Sequence, residues 1–134
     1  MSHSLHHIAI VVRELDAALA FYQHALGLTL SERRVVPEEG VEIAVLPTGE
    51  SEIELLQPLS AEGGVAAFLE KRGEGLHHVC LRVDDIEAAM ARLSAAGAQL
   101  LSEEPRVNVH GTRYVFVHPR TAHGVLLELY EVKR

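Results

Sequence analysis

The chain has 134 residues, of which 48% are hydrophobic, enough for one compact domain with a substantial core. Twelve Lys and Arg residues against nineteen Asp and Glu residues give a formal charge of -7, which argues against nucleic-acid binding. The single cysteine excludes an internal disulfide. No basic leader or apolar run of membrane-spanning length is present, so we expect a cytoplasmic protein with no membrane partner.

The predicted elements begin with the strand LHHIAIVV (Leu5 to Val12). An amphipathic helix follows and ends near Gly27, with apolar residues at helical spacing: Leu15, Leu19, Tyr22 and Leu26. Three strands are then predicted in LTLSERR, VEIAVLP and SEIELLQ, with PTGE as the hairpin turn between the last two. A short helix from about Val65 to Arg72, closed by Gly73, connects this half of the chain to the next.

The same order of elements repeats when the sequence is shifted by 71 positions. LHHVCLRV (Leu76 to Val83) copies the first strand, and Asp84 or Asp85 is expected to cap a helix that ends near Gly97. AQLLSE, RYVFVHP and GVLLELYE supply three more strands. The repeat predicts an α+β fold of two pseudo-symmetric βαβββ modules that form a cupped, mostly antiparallel sheet. Within a single domain of residues 1–134, we expect modules at 5–60 and 76–132 and a connector helix in 61–75.

Strand alternation singles out one histidine of each HH pair. His7 and His78 take the face with the smaller residues, while each copy also holds a carboxylate in its last apolar strand, Glu54 or Glu128. Burying such a carboxylate is costly unless it is paired, protonated or bound to a cation. Each residue alone could be satisfied by local hydrogen bonds, but their repeated placement favours one site that suits Zn, Co, Ni, Mn or Fe.

The chain resembles the methylmalonyl-CoA epimerase family of the vicinal oxygen chelate, or glyoxalase-like, superfamily. The resemblance runs from about Leu5 to Glu131 and is most specific in EKRGEGLHH and in the series EEPR, HG and HP. It implies that His7, Glu54, His78 and Glu128 bind a divalent Co, Mn, Ni or Zn ion, with Glu54 at a place where some relatives carry Gln. It further implies an acyl-CoA substrate, epimerised between its 2R and 2S forms through a metal-stabilised enolate, and a homodimer.

Epimerisation requires proton transfer at both faces of a planar intermediate. The resemblance implies Glu42 and Glu128 as the two acid/base carboxylates, although Glu42 could also be a solvent-facing residue near the start of its strand. Aligning Pro47 with Pro119 places Tyr114, rather than a second carboxylate, at the position that matches Glu42.

Several other functions are compatible with parts of the pattern. A glyoxalase I-type lyase acting on a glutathione hemithioacetal also uses two His and two Glu ligands, and an epimerase for another 2-substituted malonyl-CoA is closer still. A metal-free small-molecule-binding protein of this fold would not need the four residues. Ring-cleaving dioxygenases use two His and one carboxylate, so Glu54 argues against them.

Overall fold

The computed structural model describes residues 3–133, which form two compact units. The N-terminal unit runs from His7 to His77. The C-terminal unit combines the residues up to His6 with those from His78 onward. Within the described residues, no helix has the length and apolar character needed to cross a bilayer.

The first half of the chain contains four strands and three helical segments. They are β1 (Ser4–Val11), α1 (Leu15–Leu19), a π-helix (Ala20–Ala25), β2 (Glu32–Val36), β3 (Val41–Thr48), β4 (Ser51–Pro58) and α2 (Gly64–Arg72). The strands lie in the order β2-β3-β4-β1, in which β1 and β4 are parallel and the other neighbours are antiparallel. The first βαβββ module is therefore present.

Residue alternation gives the sheet of the N-terminal unit two apolar faces. One face packs against α1 through a cluster that includes Leu15, Leu46 and Leu55; we call it the helix face. The other face carries Ala9, Val11 and Leu56 and shares strand parity with His7 and Glu54; we call it the site face. Helix α2 packs on this site face through three apolar side chains, Val65, Phe68 and Leu69.

The second module repeats the architecture. Its elements are β5 (Gly75–Val83), α3 (Ile86–Ala95), β6 (Arg106–Val107), β7 (Arg113–Val117) and β8 (Leu127–Glu131). Their strand order is β5-β8-β7-β6, and β5 and β8 are again the parallel pair. The helix face packs against α3 through Ile86, Met90 and Leu129, and the site face carries His78 and Glu128.

Only one of the two helices α1 and α3 has a side-chain cap from the residue that precedes it. Asp85 caps α3 by accepting a hydrogen bond from the Ala88 N–H at 3.0 Å, which confirms the second of the two predicted caps. No side chain next to α1 caps it. The Leu15 N–H donates to the Gln57 Oε1 atom of β4 at 2.8 Å, and at the start of α3 the Ile86 N–H likewise donates to the Glu131 Oε2 atom of β8 at 3.0 Å.

Three predicted elements differ from the structure. The strand expected in LTLSERR begins only at Glu32, because Leu28 and Leu30 pack into the apolar cluster under α1 instead of extending the ladder. AQLLSE forms a single bridge from Leu100 to Val117, and a two-residue strand follows later. The first helix also ends sooner as an α-helix than expected and continues as a π-helix.

Candidate metal and substrate site

The first candidate ligand pair lies on β1 and β4. These strands are parallel, with His7 opposite Glu52 and Ala9 opposite Glu54, so all four side chains share the site face. The Nδ1 atom of His7 is 3.3 Å from the Oε2 atom of Glu54. His7 is 0% exposed and Glu54 is 8% exposed, so the imidazole and the carboxylate form a buried pair.

The second pair lies on β5 and β8. The register places Cys80 opposite Glu128, two residues beyond His78. The Nε2 atom of His78 is 3.1 Å from the Oε1 atom of Glu128, and these residues are 7% and 4% exposed. The register is the same as in the first pair, in which Glu54 lies opposite the residue two positions after His7.

Both pairs have the chemistry of metal ligands. Imidazole nitrogen and carboxylate oxygen together suit Zn, Co, Ni and Mn, whereas soft ions prefer thiolates. His7, Glu54, His78 and Glu128 are the buried polar or charged residues of the described chain. A buried carboxylate needs a partner, and an imidazole supplies one in each unit. The residues present therefore fit a divalent ion.

The site face of the C-terminal unit is aromatic around its pair. Phe116 lies directly opposite Glu128 in the β7–β8 register, and its ring meets the His78 ring edge-on at 5.4 Å. Tyr114 and Tyr130 follow along the same face, with their ring centroids 6.2 Å apart. The His6 ring lies 4.7 Å from the Tyr130 ring. These half-buried rings provide an apolar wall beside Glu128.

The structure places the Glu42 side chain away from the ligand pair of its unit, and the catalytic role expected for it stays a prediction. Glu42 lies opposite Gln57 in the antiparallel β3–β4 register, whereas Val45 lies opposite Glu54. Glu42 is therefore on the helix face, and the position next to it that shares the site face is Ile43.

The partners of Glu42 explain its position. Its Oε2 atom accepts a hydrogen bond from Arg33 Nε at 2.8 Å, and Arg33 Nη1 contacts Asp16 of α1 at 2.7 Å. The hydrogen bond to Glu42, and then the one to Asp16, raise the pKa of Arg33 above its ordinary value. Glu42 thus ties the sheet to the first helix instead of facing the ligand pair.

The expected equivalence of Glu42 and Tyr114 was wrong. Val45 pairs with Glu54, and Phe116 pairs with Glu128, so Val45 and Phe116 hold matching positions. Glu42 and Arg113 lie three residues before Val45 and Phe116, respectively, so Glu42 matches Arg113. The error arose from aligning the two prolines, which lie one position apart relative to the strand register.

Sequence reasoning missed Glu52. It shares the site face with Glu54, and one nitrogen of His7 and one oxygen of each glutamate all lie within 4.8 Å of one another. The signal was present in SEIELLQ, because residues two apart in a strand point to the same side. Glu52 was overlooked because it stands at the polar start of the strand rather than between leucines.

Comparisons with known proteins show the family of this chain. Residues 6–116 match the model of the Glyoxalase/Bleomycin resistance protein/Dioxygenase superfamily. The human mitochondrial methylmalonyl-CoA epimerase is 41% identical over 93% of this chain and 72% of its own length. The ethylmalonyl-CoA/methylmalonyl-CoA epimerase of Cereibacter sphaeroides is 42% identical, covering 96% of this chain and 97% of its own.

A solved structure extends the similarity to the fold. It is a variant of the Streptomyces coelicolor methylmalonyl-CoA epimerase in complex with 2-nitronate-propionyl-CoA, with a TM-score of 0.89 and 35% identity. The match covers 96% of this chain and 93% of that one. The chain therefore belongs to the Glyoxalase/Bleomycin resistance protein/Dioxygenase superfamily and, within it, to the methylmalonyl-CoA epimerase family.

Proposed function

We propose that this protein epimerises methylmalonyl-CoA, or a close 2-substituted malonyl-CoA thioester, between its 2R and 2S forms. The observation that carries the proposal is the buried His–Glu pair, present at the same register in both units. The names of the relatives supply the substrate class. In such a substrate, the α-carbon lies between a carboxylate and a thioester, which makes its proton removable.

The four residues His7, Glu54, His78 and Glu128 would hold one divalent ion. That they bind the same ion follows from the family resemblance, and the structure contributes the two buried pairs. When bound, such an ion supplies Lewis-acid stabilisation of negative charge on a substrate oxygen. Co, Mn, Ni and Zn are the candidates by donor chemistry.

Glu128 is the residue that we assign to proton transfer at the α-carbon. Its carboxylate is buried, and His78 holds one of its oxygens at 3.1 Å, which fixes its direction. The half-buried Phe116 ring lies opposite Glu128 in the strand register and gives that side an apolar surface. A carboxylate held in an apolar surrounding is suited to exchange a proton with carbon on one face of the planar intermediate, and inversion also requires a proton donor or acceptor on the opposite face. Glu42 stays the predicted group for the opposite face, although its side chain lies on the helix face beside Arg33 in this structure.

The decisive experiment follows methylmalonyl-CoA by NMR in deuterated water with the protein loaded with Co, Mn, Ni or Zn. We expect metal-dependent exchange of the α-proton together with inversion at carbon 2. Glu128→Gln is the matched variant, because it keeps an oxygen donor for the metal but removes the carboxylate that transfers the proton. We expect it to lose both exchange and inversion. Metal binding without exchange would reject the epimerase, and turnover of a glutathione hemithioacetal would then identify the lyase.

Three further expectations stay predictions. They are the homodimer, the cytoplasmic location and the division into modules at 5–60 and 76–132 joined by 61–75. Light scattering coupled to gel filtration tests the first directly, since a dimer would have twice the 14.7 kDa mass of the chain.

A further inference from the structure

The strand pairs that hold the two ligand pairs differ at one matching position. In the N-terminal unit, the residue opposite His7 on β4 is Glu52. In the C-terminal unit, Val79 lies opposite Leu127, so the residue before it, His78, faces Leu126. The repeat therefore has a carboxylate in one unit where the other has an aliphatic side chain.

Glu52 is directed toward the buried pair. Its carboxylate shares the site face with Glu54, and ligand atoms of His7, Glu52 and Glu54 lie within 4.8 Å of one another. Within residues 3–133, no hydrogen bond or ion pair involves the Glu52 side chain. Two carboxylates this close repel each other unless a cation lies between them. The arrangement thus presents one nitrogen and two anionic oxygens to a cation.

We infer that Glu52 acts with His7 and Glu54 on the bound divalent ion and shifts the metal preference of this protein toward Mn²⁺ relative to Zn²⁺. The inference rests on the proposed function, because it assigns Glu52 to the ion that this function requires. A third carboxylate makes the donor set richer in oxygen and more negative. Mn²⁺ prefers oxygen ligands and six-coordination, whereas Zn²⁺ prefers nitrogen or sulfur ligands and fewer of them.

The inference concerns the ratio of the Mn²⁺ and Zn²⁺ affinities, and not which of the two ions binds more tightly. Zn²⁺ generally binds a given set of nitrogen and oxygen ligands more tightly than Mn²⁺ does. Removing Glu52 should therefore weaken Mn²⁺ binding more than Zn²⁺ binding. This differential separates a role toward the ion from a general loss of negative charge.

The test measures the Kd of each ion in the absence of substrate. Free Mn²⁺ is quantified by electron paramagnetic resonance, and Zn²⁺ affinity by competition with a chelator. We expect Glu52→Gln to weaken Mn²⁺ binding about tenfold, in line with losses of residues that support a metal site, and Zn²⁺ binding distinctly less. Glu52→Leu, which copies the residue type of Leu126, should show the same change in ratio.

Glu50→Gln is the matched control. Glu50 is exposed in the turn before β4, and this substitution removes the same charge away from His7. Its ratio of affinities should equal that of the wild type. An unchanged ratio in both Glu52 variants, or an equal change in Glu50→Gln, would overturn the inference.

These results are separate from the fate of the proposed function. A protein that binds Mn²⁺ through Glu52 but leaves methylmalonyl-CoA unchanged would retain the inference and lose the epimerase. A protein that epimerises the substrate with the same metal ratio in all variants would retain the epimerase and lose the role of Glu52. Absence of Mn²⁺ and Zn²⁺ binding by the wild type would overturn both.

Discussion

The two units use the same ligand pair in different surroundings. In both, a histidine of the first strand of the module meets a glutamate of the last strand at 3.1 to 3.3 Å. In the N-terminal unit, α2 packs on the site face with Val65, Phe68 and Leu69, so that the sheet there is largely a filled core. In the C-terminal unit, half-buried aromatic rings line the site face.

This difference indicates that the two units have different roles in binding the metal and the substrate. The chain contains only three Tyr and three Phe residues, and Tyr114, Phe116 and Tyr130 all lie on the site face of the C-terminal unit. A core would be filled as well by aliphatic residues, as it is around Val11 and Leu56. We therefore expect the C-terminal unit to contact the reacting part of the substrate, while the N-terminal unit chiefly holds the metal.

The largest expected effect distinguishes the two glutamates. Glu128→Gln should lower kcat by roughly 10²- to 10⁴-fold, because it removes the group that transfers the proton. Glu54→Gln keeps an oxygen donor and lacks that role, so its loss should be about tenfold or less. Exchange rates in deuterated water and metal content by mass spectrometry provide the measurement. Equal losses in the two variants would show that the units are functionally equivalent.

A second prediction tests the packing of α2 on the N-terminal unit. Phe68→Ala removes an aromatic side chain that packs on the apolar cluster and contacts the His77 ring at 5.1 Å. Because Phe68 is only half-buried, we expect unfolding in urea to become easier by about 2 kcal/mol, below the cost of a fully buried Phe. Phe21, 57% exposed, is the control, and Phe21→Ala should change stability by about 0.5 kcal/mol or less. Similar losses in both would mean that α2 adds little to the core.

The smallest expected effect is that of changing Glu42, which lies on the helix face of the N-terminal unit. Glu42→Gln should leave the epimerase rate within about twofold of the wild type, because the residue is on the far side of the sheet from Glu54. Stability should fall by about 0.5 to 1 kcal/mol, the range for a partly exposed ion pair, since the Arg33 contact is weakened. Rate and urea unfolding are measured on the same sample. A loss of rate near 10²-fold would instead support the predicted catalytic role of Glu42.

The repeat predicted much of the fold because it combines two independent periodicities. The strand LHHIAIVV and its copy set the same alternation, and the helix that follows each strand has its own apolar spacing. Both modules appear in the predicted order of elements. The weaker strands were misjudged. LTL packs under α1, and AQLL pairs with β7 only through a single bridge while Leu100 also packs on the cluster under α3.

The candidate site, like the fold, could be predicted from the sequence only in part. Burial of Glu54 and Glu128 next to His7 and His78 could be anticipated, because a carboxylate between leucines needs a partner and only the repeat suggested one. Glu42 could not be judged from its own strand, because alternation separates residues into two sets without saying which set faces the site. That decision required the register between β3 and β4.

The sequence by itself therefore determined the module, its duplication and the four residues most costly to bury, because hydrophobic period and charge are local properties. Only the tertiary structure decided that Glu42 belongs with Arg33 and that Glu52 belongs with His7. Strand register depends on pairing between distant segments, and a shift of one residue moves a side chain to the opposite face of the sheet.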